Sequence, residues 1–173
     1  MNEILNNIGT RRSCRAYRPD ALPRETLDEI LEAGLWAPSG MGRQSVTLVA
    51  VTDPETRGTL RRMNAAILGN PSADPFYGAP AVVVALADPA ASTCVEDGSL
   101  ALGSMMLAAS SLGVGSCWIH RAKEEFESAE GRALLKKWGL PENLRGVGHC
   151  ALGFAAAPAG EGAARKPGRI VRV

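Results

Sequence analysis

Five consecutive residues, Arg11-Arg12-Ser13-Cys14-Arg15, gather three guanidinium groups and a hydroxyl near the start of the chain, and Arg18 follows. A guanidinium is a planar fork of donors that matches phosphate oxygens, and a serine hydroxyl adds a neutral donor. A phosphate monoester carries nearly two charges at neutral pH, so it calls for two cations. In an extended loop, alternate side chains share a side. Arg11, Ser13 and Arg15 would then converge, and Arg12 would point elsewhere. A solvated basic turn, or a surface patch for nucleic acid, accounts for the same residues, because short motifs recur by chance.

Two further stretches carry possible chemistry. Ala37-Pro38-Ser39-Gly40-Met41-Gly42-Arg43-Gln44 combines a helix stop with two glycines. Glycine lets backbone N–H and C=O groups approach a flat polar ligand closely, although a plain helix-to-strand turn reads the same way. Gly113-Val114-Gly115-Ser116-Cys117-Trp118-Ile119-His120-Arg121 holds two glycines of a dinucleotide fingerprint. Trp118 stands where the third is needed, and the stretch precedes a strand instead of following one, so it is not a Rossmann site. The two histidines, His120 and His149, are far apart without acidic ligand clusters, and no metal site is expected. No GxSxG motif occurs, Ser39 has no evident base, and the apolar neighbours of Cys117 suggest an inert thiol. Anion-binding loops without a catalytic dyad fit a protein whose cofactor does the chemistry. No side chain is assigned as catalytic.

The elements that must position these loops follow from pattern. Residues 2–8 suit a short helix, and residues 11–19 a loop punctuated by Pro19 and Asp20. Pro23 suits a first helical position, with Glu25 in the first turn. Leu27, Ile30, Leu31, Gly34 and Leu35 share a face, and Pro38 ends that helix. Residues 45–52 read as a strand, and Asp53-Pro54 starts a helix continued by Leu60, Met63, Ile67 and Leu68. Residues 80–87 are a continuous apolar run, expected as a central buried strand. Asp97 is expected to cap a helix over 97–112 whose apolar residues go all round its axis. Strands are expected at 115–119 and 145–154, a broken helix at 126–138, and a possible edge strand at 170–173. The result is an α+β fold with one mixed sheet, in a single domain over 1–173.

Bulk properties narrow the partners. The 173 residues carry 19 basic and 18 acidic groups, a net charge of +1, so any anion site is local and general nucleic-acid binding is disfavoured. The longest apolar run contains Gly103, Ser104 and further serines and is too short for a membrane span. The first twenty residues show no secretory signal. Cys14, Cys94, Cys117 and Cys150 form no CxxC pair, which fits thiols in a reducing cytoplasm.

Taken in order, RRSCRAY, LEAGLWAPSGMGRQ, YGAPAVVVAL, SLGVGSCWI and a basic tail resemble the nitroreductase family over nearly the whole chain. The resemblance implies an FMN-binding fold with a mainly antiparallel sheet flanked by helices, assembled as an intertwined homodimer. It implies that Arg11, Ser13 and Arg15 bind the FMN phosphate, with Arg12 beside them. Pro38, Ser39 and Gly40, with Met41 and Gln44, match the loop that reaches the flavin from the partner subunit. Ile119, His120 and Arg121 match the stretch whose backbone lies by flavin N5, and Arg165 a basic position near the phosphate. The helix over 97–112 resembles the central dimer helix, and the tail from about 160 would cross to the partner. Met41, Phe76, Tyr77 and His120 are candidate walls of a substrate pocket, with the loop over 70–78 as a candidate lid, although packing at the edge of the core accounts for Phe76 and Tyr77 equally well. Gly42 and Ser45 depart from the Asn and Pro that the family often has. His120 and Arg121 replace smaller or acidic residues.

The implied activity is transfer of reducing equivalents from NADH or NADPH through FMN to a nitroaromatic, quinone or similar small acceptor, in ping-pong fashion. Arg121 and Lys123 are candidates for contacting a nicotinamide 2′-phosphate. Alternatives are a flavin-binding or carrier module, or a specialised dehalogenase or flavin-consuming relative.

Overall fold

The computed structural model describes residues 2–173. Among them the sheet is four-stranded, in the order β1-β2-β4-β3: β1 Val46–Val51, β2 Ala81–Ala87, β3 Gly115–Ile119 and β4 Arg145–Gly153. All three pairings are antiparallel. The one parallel element is an isolated bridge from Ser13 to Ser116, so the sheet is mixed only at that point. The helices are α1 Glu3–Thr10, α2 Arg24–Leu35, α3 Pro54–Ile67, α4 Cys94–Ser111, α5 Ala122–Glu127 and α6 Ala129–Lys137.

Strand β2 explains the layering. Every one of its residues is buried, as its unbroken apolar run predicts for an inner strand. Its alternation divides the core. Val82, Val84 and Leu86 pack with Leu60 and Met63 of α3 and with Phe126 and Leu135 of α5 and α6. Ala81, Val83, Ala85 and Ala87 pack with Leu27 and Ile30 of α2 and with Leu102 and Met105 of α4. The domain is therefore helices, sheet, helices.

Helix starts obey local chemistry. Asn2 accepts from the Leu5 N–H and caps α1, Asp53 accepts from Thr56 and caps α3, and Ser128 accepts from Gly131 and separates α6 from α5. Two expectations are corrected. Helix α4 begins at Cys94, so Asp97 lies inside its first turn instead of capping it. Within one chain Ala101, Leu102 and Met105 of α4 are buried, whereas Leu100 is 48% exposed and Gly103, Ser104 and Leu107 are partly covered. Residues 170–173 form no strand: they are exposed and pair with no strand of this chain.

Candidate functional site

The arginine loop is pinned at both ends. The Cys14 N–H donates to the Ser116 carbonyl at the start of β3. The Arg18 N–H donates to the Phe154 carbonyl, and the Ala156 N–H to that of Ala16, beyond the end of β4. The Tyr17 hydroxyl lies 3.0 Å from the Cys14 carbonyl and 3.1 Å from the Ala151 carbonyl. Burial pushes that phenol's pKa upward, so it stays a neutral hydrogen-bonding pin.

This framework places Arg11, Arg12, Ser13 and Arg15 around two adjoining cavities of about 400 and 900 Å³. Ser116 lines the first, and residues 160–165 of the tail, Arg165 included, line the second. Both volumes fall in the range of small-molecule sites. Arg11 Nη1 and the Ser116 hydroxyl are buried there without a hydrogen-bond partner. Unpaired buried donors are costly, and they mark this lining as a candidate anion site. Arg12 has a different task. Its Nη1 donates to the carbonyls of Gly9 and Arg11, both at 2.8 Å, and its guanidinium packs against Gly162. Ser116 stands inside the GVGSCWI stretch and was not singled out by sequence. Its hydroxyl near the start of a strand was the available signal.

Strand β3 leads from this cavity to the turn at residues 119–121, about 13 Å from Ser116 at 3.3 Å per residue. Ile119 buries its side chain in the core, leaving only its backbone for a ligand. His120 is exposed and stacks on Trp118, with ring centroids 5.4 Å apart. Arg121 has φ of 79°, a left-handed conformation that costs a non-glycine residue roughly 1–2 kcal/mol. A buried cluster absorbs that cost. Asn64 Nδ2 donates to the His120 carbonyl at 2.9 Å and to a Glu125 carboxylate oxygen, while Arg121 Nε donates to Asn64 Oδ1 at 2.9 Å. His149 Nε2 lies 3.1 Å from the other Glu125 oxygen. Sequence reading gave no role to Asn64, Glu125 or His149: His149 in an apolar strand was a visible clue, whereas Glu125 stands among the charged residues Lys123, Glu124 and Glu127 and carried no signal. Arg121 Nε is engaged with Asn64, and Lys123 lies 3.9 Å from Glu127 in an exposed pair one helical turn apart.

The loop holding Pro38, Ser39, Gly40, Met41 and Gln44 lies apart from the arginine cavities of its own chain and lines a separate cleft with Gly34, Ala101 and Asp97. Residues Gly40–Gly42 form a single 3-10 turn. Met41 and Gln44 have φ of 57° and 50°, and the Met41 side chain is 89% exposed. Asp97 holds the loop: its carboxylate accepts from the Gly40 N–H at 2.9 Å and from the Ser45 hydroxyl at 2.7 Å. The Ser45 hydroxyl first, then the Gly40 N–H, keep the carboxyl's pKa below its ordinary value. A Cβ at Gly40 would lie 2.1 Å from Thr93 Oγ1, so this approach needs glycine.

Of the two readings of Phe76, core packing holds and the pocket wall is corrected. Its ring is buried in the core, edge-on to His149 at 5.3 Å, because aromatic burial outweighs exposure in a lid. The loop around it is tied down: Asp74 accepts from the N–H groups of Phe76 and Gly78, and Arg61 donates to the Ala73 carbonyl. Tyr77 is partly exposed but lines neither arginine cavity. Cys117 is buried, and burial raises its pKa, in keeping with an inert thiol. Among the described residues no group of three potential ligands surrounds a metal position, and no helix is long and apolar enough to cross a membrane.

The pattern of the nitroreductase family matches residues 8–154. The chain belongs to that family. Among its nitroreductase relatives is a protein of Archaeoglobus fulgidus named NADH dehydrogenase/NAD(P)H nitroreductase, 33% identical over 89% of this chain and 86% of its own length. A nitroreductase with bound FMN from Bacteroides fragilis is 33% identical, with a TM-score of 0.91 over 100% of both chains. A second nitroreductase with bound FMN, from Desulfitobacterium hafniense, is 28% identical, with a TM-score of 0.89 over 100% of this chain and 99% of its own.

Proposed function

We propose that this nitroreductase-family chain is an FMN-dependent oxidoreductase that takes reducing equivalents from NADH or NADPH and delivers them to a nitroaromatic, a quinone or a similar small acceptor. The carrying observation is the convergence of Arg11, Arg12, Ser13, Arg15 and Ser116 on one cavity lining, within which Arg11 Nη1, Arg12 Nε and the Ser116 hydroxyl are buried without a partner. Such a donor set fits a phosphate monoester. Bound FMN would supply the two-electron chemistry between nicotinamide and acceptor.

The protein residues position and stabilise. Arg11, Ser13 and Arg15 hold the phosphate, Arg165 adds positive charge, and Arg12 braces the loop. The backbone of Ile119, His120 and Arg121 lies by the flavin N5 edge, one strand length from the phosphate. Pro38, Ser39, Gly40, Met41 and Gln44 approach the flavin from a second copy, which accounts for their separation from the arginine cavities. A homodimer would cover the open face of α4 and the exposed Ile4, Leu5 and Ile8 of α1. His120 and Met41 border the acceptor. One pocket serving donor and then acceptor gives ping-pong kinetics. A reducing cytoplasm suits the four free thiols.

The test is an absorbance spectrum of the purified protein, with and without NADH or NADPH under nitrogen. Flavin bands that bleach with reduced nicotinamide are expected. Bands that persist would point to another electron donor, and no flavin even after incubation with FMN would overturn the proposal.

A further inference from the structure

Three polar side chains from different parts of the fold meet in the core beneath the turn at residues 119–121. Asn64 comes from α3, Glu125 from α5 and His149 from β4, and all three are fully buried. Polar groups are rarely sealed in an apolar core unless they are paired, and here the pairing converges on one spot. The Asn64 amide uses both donors and its acceptor on the His120 carbonyl, Glu125 and Arg121 Nε. The Glu125 N–H donates to the Arg121 carbonyl at 3.1 Å, which closes the turn from the other side. One hydrogen lies between His149 Nε2 and Glu125, and His149 Nδ1 has no partner. The cluster therefore bonds the backbone of His120 and both ends of Arg121, while the His120 side chain points outward onto Trp118.

We propose that Asn64, Glu125 and His149 are positioning residues: they lock Arg121 in its left-handed conformation and so fix which backbone groups of the turn face bound FMN. This rests on the reading that residues 119–121 lie by flavin N5. A lock so close to the redox-active edge sets the relative affinity for oxidised and reduced FMN. A purely structural cluster sets stability alone.

The test uses FMN-loaded wild type, Asn64→Leu and Arg121→Gly. Asn64→Leu removes all three bonds. Arg121→Gly loses only the Nε bond to Asn64, keeps the contacts among Asn64, Glu125 and His149, and frees the turn, because glycine takes other conformations without strain. FMN midpoint potential, FMN affinity and melting temperature are measured on each sample. The expected result is an at least tenfold change in the ratio of reduced to oxidised FMN affinity in Arg121→Gly, a shift of about 30 mV for a two-electron couple. Asn64→Leu should shift at least as far if it folds. Unchanged potentials, with only the melting temperature altered, would overturn the positioning role while leaving the FMN reading intact. Failure of wild type to bind FMN would overturn both.

Discussion

Asp97 and Gly40 are 57 residues apart, yet the carboxylate of one accepts the backbone N–H of the other at 2.9 Å. This bond ties the head of α4 to the loop proposed to meet the flavin. Asp97→Ala should leave the helical content unchanged but loosen that loop and lower turnover by up to about a hundredfold, as small misplacements can. Steady-state kinetics with matched circular dichroism spectra check this.

The same carboxylate predicts an acid response. Its folded pKa is depressed below the ordinary 3.8, first by the Ser45 hydroxyl and then by Gly40. A depressed acid contributes stability that is fully present above the unfolded pKa and is lost as pH falls through the folded value. Wild type should therefore lose stability below about pH 4 more steeply than Asp97→Asn. Urea melts between pH 3 and 6 measure the difference, and parallel curves would refute it.

Arg11→Ala combined with Arg15→Ala removes two charge-assisted hydrogen bonds to the phosphate. At about 1.5 kcal/mol each, this corresponds to a rise of about a hundredfold in the Kd for FMN. Flavin fluorescence titration reports it, and full retention of yellow colour on purification would refute the phosphate assignment. Arg12→Ala should instead lower stability, because its partners are the carbonyls of Gly9 and Arg11.

Gly146 on β4 touches backbone, which cannot yield as a side chain can. A Cβ there would lie 2.1 Å from the Ala122 carbonyl oxygen at the start of α5. Gly146→Ala should cost about 1–3 kcal/mol, the usual penalty of overpacking. Chemical denaturation is the measurement.

Leu100 and Leu107 lie on the open face of α4. Light scattering should find wild type as a dimer and Leu100→Glu shifted toward monomer, with weakened FMN binding. A monomeric wild type that holds FMN fully would refute the dimer.

Thiol chemistry should follow burial. Burial pushes the Cys150 thiol up to about 12 and also raises that of Cys117. Only Cys14 is partly exposed among the four. An aromatic disulfide reagent at pH 8 should modify Cys14 first, with the other three reacting only on unfolding. Simultaneous reaction of all four would contradict the packing.

The sequence by itself determined what depends on near neighbours. The all-apolar run of β2 marks an inner strand, because both of its faces must avoid water. Pro38 stops α2, Asp53 caps α3, and three arginines in a short loop concentrate positive charge, since each effect acts within a few residues. The tertiary structure decided what depends on distant partners. Asp97 near the head of α4 looks like a cap, yet its carboxylate turns to Gly40 and Ser45. Phe76 looks like a lid residue, yet it packs against His149. Asn64 and Glu125, 61 residues apart, meet beneath Arg121 because α3 and α5 pack on the same face of the sheet. No periodicity encodes that meeting. It arises when the helices bury their apolar faces together, and the polar groups carried along must find one another or remain unpaired.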